Sequence, residues 1–143
     1  MQELLKNKLH QYISENNPDL LLSLQEKNKT TSYISDKVSG LNELIHELKE
    51  ANTPAYIIEE VCMDALTKDL RPSKYNYINN ILEEEFEFAY LQFQKSGTLL
   101  YEVINLIKQC EPYFEELGFT EENENNKELH YAVAGTIDKY LSK

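Results

Sequence analysis

Apolar residues recur at three- and four-residue spacing along most of the chain, the pattern of amphipathic α-helices. Leu4, Leu5, Leu9, Tyr12 and Ile13 form the first stripe, which ends at Asn16-Asn17-Pro18. Asn17 is suited to cap a second helix with Pro18 at its first position. Leu20, Leu21, Leu22 and Leu24 then form a short apolar cluster. Tyr33, Ile34, Val38, Leu41, Leu44, Ile45 and Leu48 mark a longer segment, with Gly40 inside it as a kink or a close crossing. Thr53 as cap and Pro54 as first helical residue predict the next start. Ile57, Ile58, Val61, Cys62, Ala65 and Leu66 give that helix a broad stripe.

Asp69-Leu70-Arg71-Pro72 breaks the pattern, because residues before proline avoid the helical region. Ser73 is the expected next cap. Tyr77, Ile78, Ile81, Leu82, Phe86, Ala89, Tyr90 and Phe93 predict one long helix, ended by Gly97 as a left-handed stop, with Thr98 as the following cap. Leu99, Leu100, Val103, Ile104, Ile107 and Cys110 continue the core, and Pro112 bends or restarts their helix before Gly118 ends it. Residues 120–127 hold no apolar side chain and read as a solvated, mobile loop. Leu129, Ala132, Val133, Thr136, Ile137, Tyr140 and Leu141 form the last helix. No repeat or linker is visible. The expectation is an all-α fold: one domain over 1–143, an orthogonal bundle of about five to six helices around one core.

Composition agrees with few, long elements. Four glycines and four prolines in 143 residues supply few turns, which argues against a many-stranded sandwich or barrel. A chain of this size buries roughly 68–70% of its unfolded surface, enough for a core without staples. Cys62 and Cys110 lie far apart with no CxxC pair, so both read as free thiols packed on apolar faces. No apolar run approaches the roughly 20 residues of a membrane span, and the opening residues lack the apolar core of a signal peptide. The expected compartment is the cytoplasm.

Charge narrows the partners. The chain carries 25 acids against 14 bases, a formal −11. Residues 1–75 hold 12 acids and 9 bases; residues 76–143 hold 13 acids and 5 bases. Nucleic-acid backbones are bound by Lys and Arg, so such binding is disfavoured, as is an anionic membrane surface. A basic protein partner is favoured instead.

Several candidate sites can be weighed against simpler roles. Ser73 beside Lys74 has the composition of a Ser–Lys nucleophile pair, but neighbours at a helix start diverge, and Ser73 reads as a cap. Lys68, Arg71 and Lys74 form the local basic cluster, expected to pair with carboxylates. Glu43 and His46 match half of a di-iron spacing; the other half is missing, so no metal or other cofactor is expected. Glu83, Glu84, Glu85 and Glu87 fan around a helix and cannot converge on one ion. Glu85 is the one expected to turn inward, toward Arg71 or Lys74. The 120–128 loop lacks the Gly and the alternating ligands of an EF-hand. Most of the ten tyrosines are expected at the core boundary.

Leu70-Arg71-Pro72-Ser73-Lys74-Tyr75 followed by Glu85-Phe86 resembles a "Leu-x-Phe-Ser-Lys-Tyr … Glu-Phe" pattern. Gly135-Thr136-Ile137-Asp138-Lys139-Tyr140-Leu141 resembles a closing "Gly-Thr-Ile-x-x-Tyr-Leu", and Asn17-Pro18 fits the opening "Asn-x-Pro-x-Leu". All three patterns are those of a family of short helical Bacteroidota proteins, domain of unknown function 1896. Pro72 stands where that pattern has an aromatic. The resemblance implies an all-α protein of conjugative transposons, without catalytic residues to carry over. It makes Arg71, Ser73, Lys74, Tyr75 and Glu85 a possible shared surface. The expected function is therefore a non-enzymatic accessory protein that binds a protein partner through a helical surface. The alternatives are a nucleic-acid-associated factor and an acidic DNA mimic, the latter needing the acids at 83–87, 111–116 and 121–128 on one face. An enzyme would require a deep pocket with convergent titratable groups.

Overall fold

The computed structural model describes all 143 residues and is all-α. Nine α-helices follow one another, with a single 3-10 turn at Lys68–Leu70 and no strand. The chain divides into two compact units, Met1–Leu70 and Arg71–Lys143. Each has its own buried cluster where the apolar pattern predicts one core.

The first unit holds α1 (Gln2–Asn16), α2 (Pro18–Glu26), α3 (Thr30–Ser39), α4 (Asn42–Glu50) and α5 (Ala55–Thr67). Leu5, Leu9 and Ile13, one turn apart on α1, are fully buried. They meet Ile34 and Val38 of α3, Ile45 of α4, and Ile58, Cys62 and Leu66 of α5. Each such side chain contributes about 1.5–3 kcal/mol on leaving water. The segment expected to run from Tyr33 to Leu48 is two helices, since the ladder stops at Gly40 and restarts after Leu41. Three capping expectations are also corrected; one is Thr98, which stands at the cap position of the helix beginning at Leu99 without a side-chain cap bond. Asn17 holds the cap position of α2 without a side-chain cap bond; its Nδ2 donates to the Leu70 carbonyl at 3.3 Å. Pro54, not Thr53, holds the cap position of α5. Asn28 and Asn52 close α2 and α4 with φ of 54° and 59°, a left-handed conformation that Asn tolerates better than most residues.

The second unit holds α6 (Lys74–Glu85), α7 (Glu87–Ser96), α8 (Leu99–Leu117) and α9 (Lys127–Leu141). Ile78, Ile81 and Leu82 of α6 pack with Val103, Leu106, Ile107, Cys110 and Phe114 of α8 and with Leu129, Val133 and Ile137 of α9. The single helix expected over 77–93 is interrupted at Phe86, whose φ of −134° and ψ of 49° leave the helical region. Apolar spacing runs unbroken across Phe86, so periodicity carries no sign of the interruption. Pro112, in contrast, neither restarts nor ends α8. Gly97 closes α7 with φ 75°, the left-handed stop its position predicts.

The 118–126 loop is more organised than a solvated tether. Asn123 Oδ1 accepts from the Thr120 N–H and hydroxyl, at 2.6 and 3.0 Å. Its Nδ2 donates to the Leu117 and Gly118 carbonyls at 3.0 and 2.8 Å. Asn126 then caps α9, its Oδ1 accepting from the Leu129 N–H at 3.0 Å.

Candidate functional site

The residues marked by the sequence motif divide between the two ends of α6. Ser73 is a helix cap: its Oγ accepts from the Asn76 N–H at 3.0 Å and it is 9% exposed. Tyr75 packs half-buried against the second unit's core. Lys74 pairs with Glu111 of α8, its ammonium 5.2 Å from the centre of the Phe114 ring. Arg71 reaches the following loop, Nη1 to Glu121 Oε2 at 3.9 Å. Two of the three bases of the expected basic cluster are thus matched to carboxylates; Lys68 is exposed.

Glu85 does not meet either base. It pairs with His130 of α9, Oε2 to Nε2 at 2.6 Å, and is exposed rather than turned inward. The reason is length. Lys74 and Glu85 begin and end the same helix, eleven residues and so about 16 Å apart at 1.5 Å per residue. The motif therefore ties one end of α6 to α8 and the loop, and its other end to α9. It does not converge on one point.

Other chemistry is also absorbed by the fold. Cys62 and Cys110 are fully buried free thiols. Burial pushes Cys62 up and Cys110 up to about 11, away from thiolate chemistry. Burial likewise pushes Tyr77 up to about 12, with Cys110, Glu85 and Glu124 adding to it. Tyr77 packs edge-on to Phe114 and Phe119, its hydroxyl buried without a protein partner. This departs from the wet hydroxyl expected of a boundary tyrosine. His46 lies 3.8 Å from Glu50, not against Glu43. No group of three or more His, Cys, Asp or Glu side chains is arranged to hold a metal ion, and no helix is long and apolar enough to cross a membrane.

What stands out instead is α7. None of its ten residues is buried. Phe86, Tyr90 and Phe93 turn toward the core and are covered in part. Phe88 is 79% exposed and Leu91 53% exposed. An open groove runs beside them, walled by Phe86, Ala89, Phe93 and Leu141 and edged by Glu85 and Glu87. Phe88 itself lines that groove, so its exposed ring and the groove form one apolar surface. Of this surface, the sequence pattern marks Phe86, Ala89, Phe93 and Leu141 as core stripe and Glu85 and Glu87 as part of an acidic run, and leaves Phe88 and Leu91 unmarked. The available signal was apolar side chains at 88 and 91, off the stripe formed by 86, 90 and 93.

The unit boundary also changes the charge map. Cut at residue 70, the first unit has 12 acids and 7 bases and the second has 13 acids and 7 bases, −5 against −6. The asymmetry seen with a cut at residue 75 comes from assigning Arg71 and Lys74 to the wrong side. Comparisons with family models, with curated proteins and with solved structures each return no match to this chain.

Proposed function

We propose that this chain is a non-enzymatic accessory protein that binds a protein partner through the outer face of α7. The observation that carries this reading is the pairing of Phe88 at 79% and Leu91 at 53% exposure beside a groove walled by further apolar side chains. Large exposed aromatic and aliphatic side chains next to a concavity are the anchors of protein interfaces. The side chains that would suggest chemistry support the same reading, since Ser73 is spent on a cap and both thiols are buried. The similarity of the 70–75, 85–86 and 135–141 segments to domain of unknown function 1896 supports a role in the cytoplasm of a Bacteroidota cell, in a conjugative transposon. Direct nucleic-acid binding is the weaker alternative, because Arg71 and Lys74 are held by Glu121 and Glu111. A DNA mimic is weakened by the same pairs, which neutralise a member of each of two acidic clusters.

A photo-cross-linking amino acid placed at position 88 or 91, in cells of the native host, tests the proposal. Position 56 serves as control, since Tyr56 is 70% exposed but lies elsewhere, on α5. The expected result is a discrete protein adduct from 88 and 91 and none from 56. Equal adducts at all three positions, or none at 88 and 91, would overturn it.

A further inference from the structure

Resting on the reading of α7 as a docking face, we infer that its occupant is a cationic apolar segment of another protein, with Lys or Arg side chains flanking one or two large apolar anchors. The apolar anchors follow from what must be covered. Phe88 and Leu91 are one helical turn apart and outward, and Ala89 and Phe93 line the adjoining groove. A partner that inserts an apolar side chain there removes both surfaces from water at once.

The cationic flanks follow from the rim. Glu87 edges the groove, is exposed and forms no ion pair, and Glu85 edges it with Oε2 2.6 Å from His130 Nε2. The groove wall contains two carboxylates and no base. Lys95, at the far end of α7, is the sole cation of that helix. A complementary charge accelerates encounter and fixes register, whereas a like charge brought against this rim is repelled.

The same rim argues against other occupants. In a symmetric pairing of two copies the same patch faces itself, so the two groove carboxylates of each copy would enter one interface with no base from either groove to meet them. An anionic lipid surface meets the same repulsion. A neutral apolar segment would cover Phe88 but leave the carboxylates facing uncharged surface, losing what a cationic flank gains.

The test is selection of a random-peptide phage library on the full-length protein, followed by affinity measurement of the enriched peptides. The comparison proteins are Phe88→Ser/Leu91→Ser and Glu87→Gln, each checked for native helicity by circular dichroism. The expected peptides combine an excess of Lys and Arg with large apolar residues. They bind the Phe88→Ser/Leu91→Ser protein roughly tenfold or more weakly. They bind the Glu87→Gln protein several-fold more weakly, and wild type several-fold more weakly as salt rises. Enriched peptides that are neutral or acidic yet depend on Phe88 overturn the inference and leave the docking face standing. Peptides indifferent to Phe88 and Leu91 overturn both. Self-association in sedimentation that disappears in the Phe88→Ser/Leu91→Ser protein names a second copy as the occupant and overturns the inference. So does a selection with no enrichment over bare support.

Discussion

Ser73 and Cys110 are the two residues at which chemistry is most easily imagined and least available. The Ser73 hydroxyl accepts the Asn76 N–H at 3.0 Å and starts α6. Removing it leaves an orphan donor at the first turn. Ser73→Ala is expected to lower stability by about 1 kcal/mol in urea unfolding; a change near zero would mean that the cap contributes nothing and would reopen the residue to other roles. Cys110 is fully buried in the core of the second unit. Its folded pKa, about 11, lies above the ordinary thiol value of 9.0 because burial penalises the thiolate, a penalty the Thr136 hydrogen bond only partly offsets. A raised pKa means that the folded state holds its proton longer than the unfolded state does. The linked stability is therefore complete below pH 9 and is lost as pH climbs toward 11. At about 1.4 kcal/mol per unit, roughly 2–3 kcal/mol are at stake as an upper bound. Urea midpoints measured between pH 8 and pH 11 should fall more steeply in wild type than in Cys110→Ala. Parallel slopes would show that Cys110 does not contribute to the linkage.

At the scale of elements, α7 separates stability from function within ten residues. Phe93 turns toward the core and Phe88 turns away from it. Phe93→Ala should cost about 2 kcal/mol, part of the value for a fully buried ring. Phe88→Ala should stay within about 0.5 kcal/mol, as exposed positions do. If Phe88→Ala destabilises as much as Phe93→Ala, its ring is engaged within the protein and the docking face is lost. The break at Phe86 makes this division possible, because it starts a new helix whose first residues, Glu87 and Phe88, are both exposed. The end of α6 is held at the same place by Glu85 and His130, at 2.6 Å. The motif residue there is a structural tie that also edges the groove.

For the molecule as a whole, charge decides more than any single site. Both units are acidic, −5 and −6, so neither offers a basic footprint for a phosphate backbone. Arg71 and Lys74 are already matched to carboxylates. The expected result of a gel shift with duplex or single-stranded DNA at low salt is no retardation. A salt-sensitive shift would instead favour the nucleic-acid alternative over a protein partner.

The amino-acid order alone determined the helical class and most helix ends. Ser73, Pro18 and Gly97 stand where caps and stops have strong local causes: a side-chain acceptor, a preset φ, and freedom at positive φ. It also determined that the thiols are unpaired and that the bases near 71–74 face carboxylates. Tertiary structure decided the rest. The breaks at Gly40–Leu41 and Phe86 interrupt stripes whose spacing continues across them, so a pattern of apolar positions cannot register them. Which carboxylate meets which base depends on which helix end lies near which loop, and this placed Glu85 on His130 rather than on Arg71 or Lys74. The division into two cores depends on which stripes find each other, a choice open to any set of amphipathic helices. The exposure of Phe88 and Leu91 is of the same kind. A sequence shows that a side chain is apolar, but only the packing of the other helices shows that it has been left uncovered.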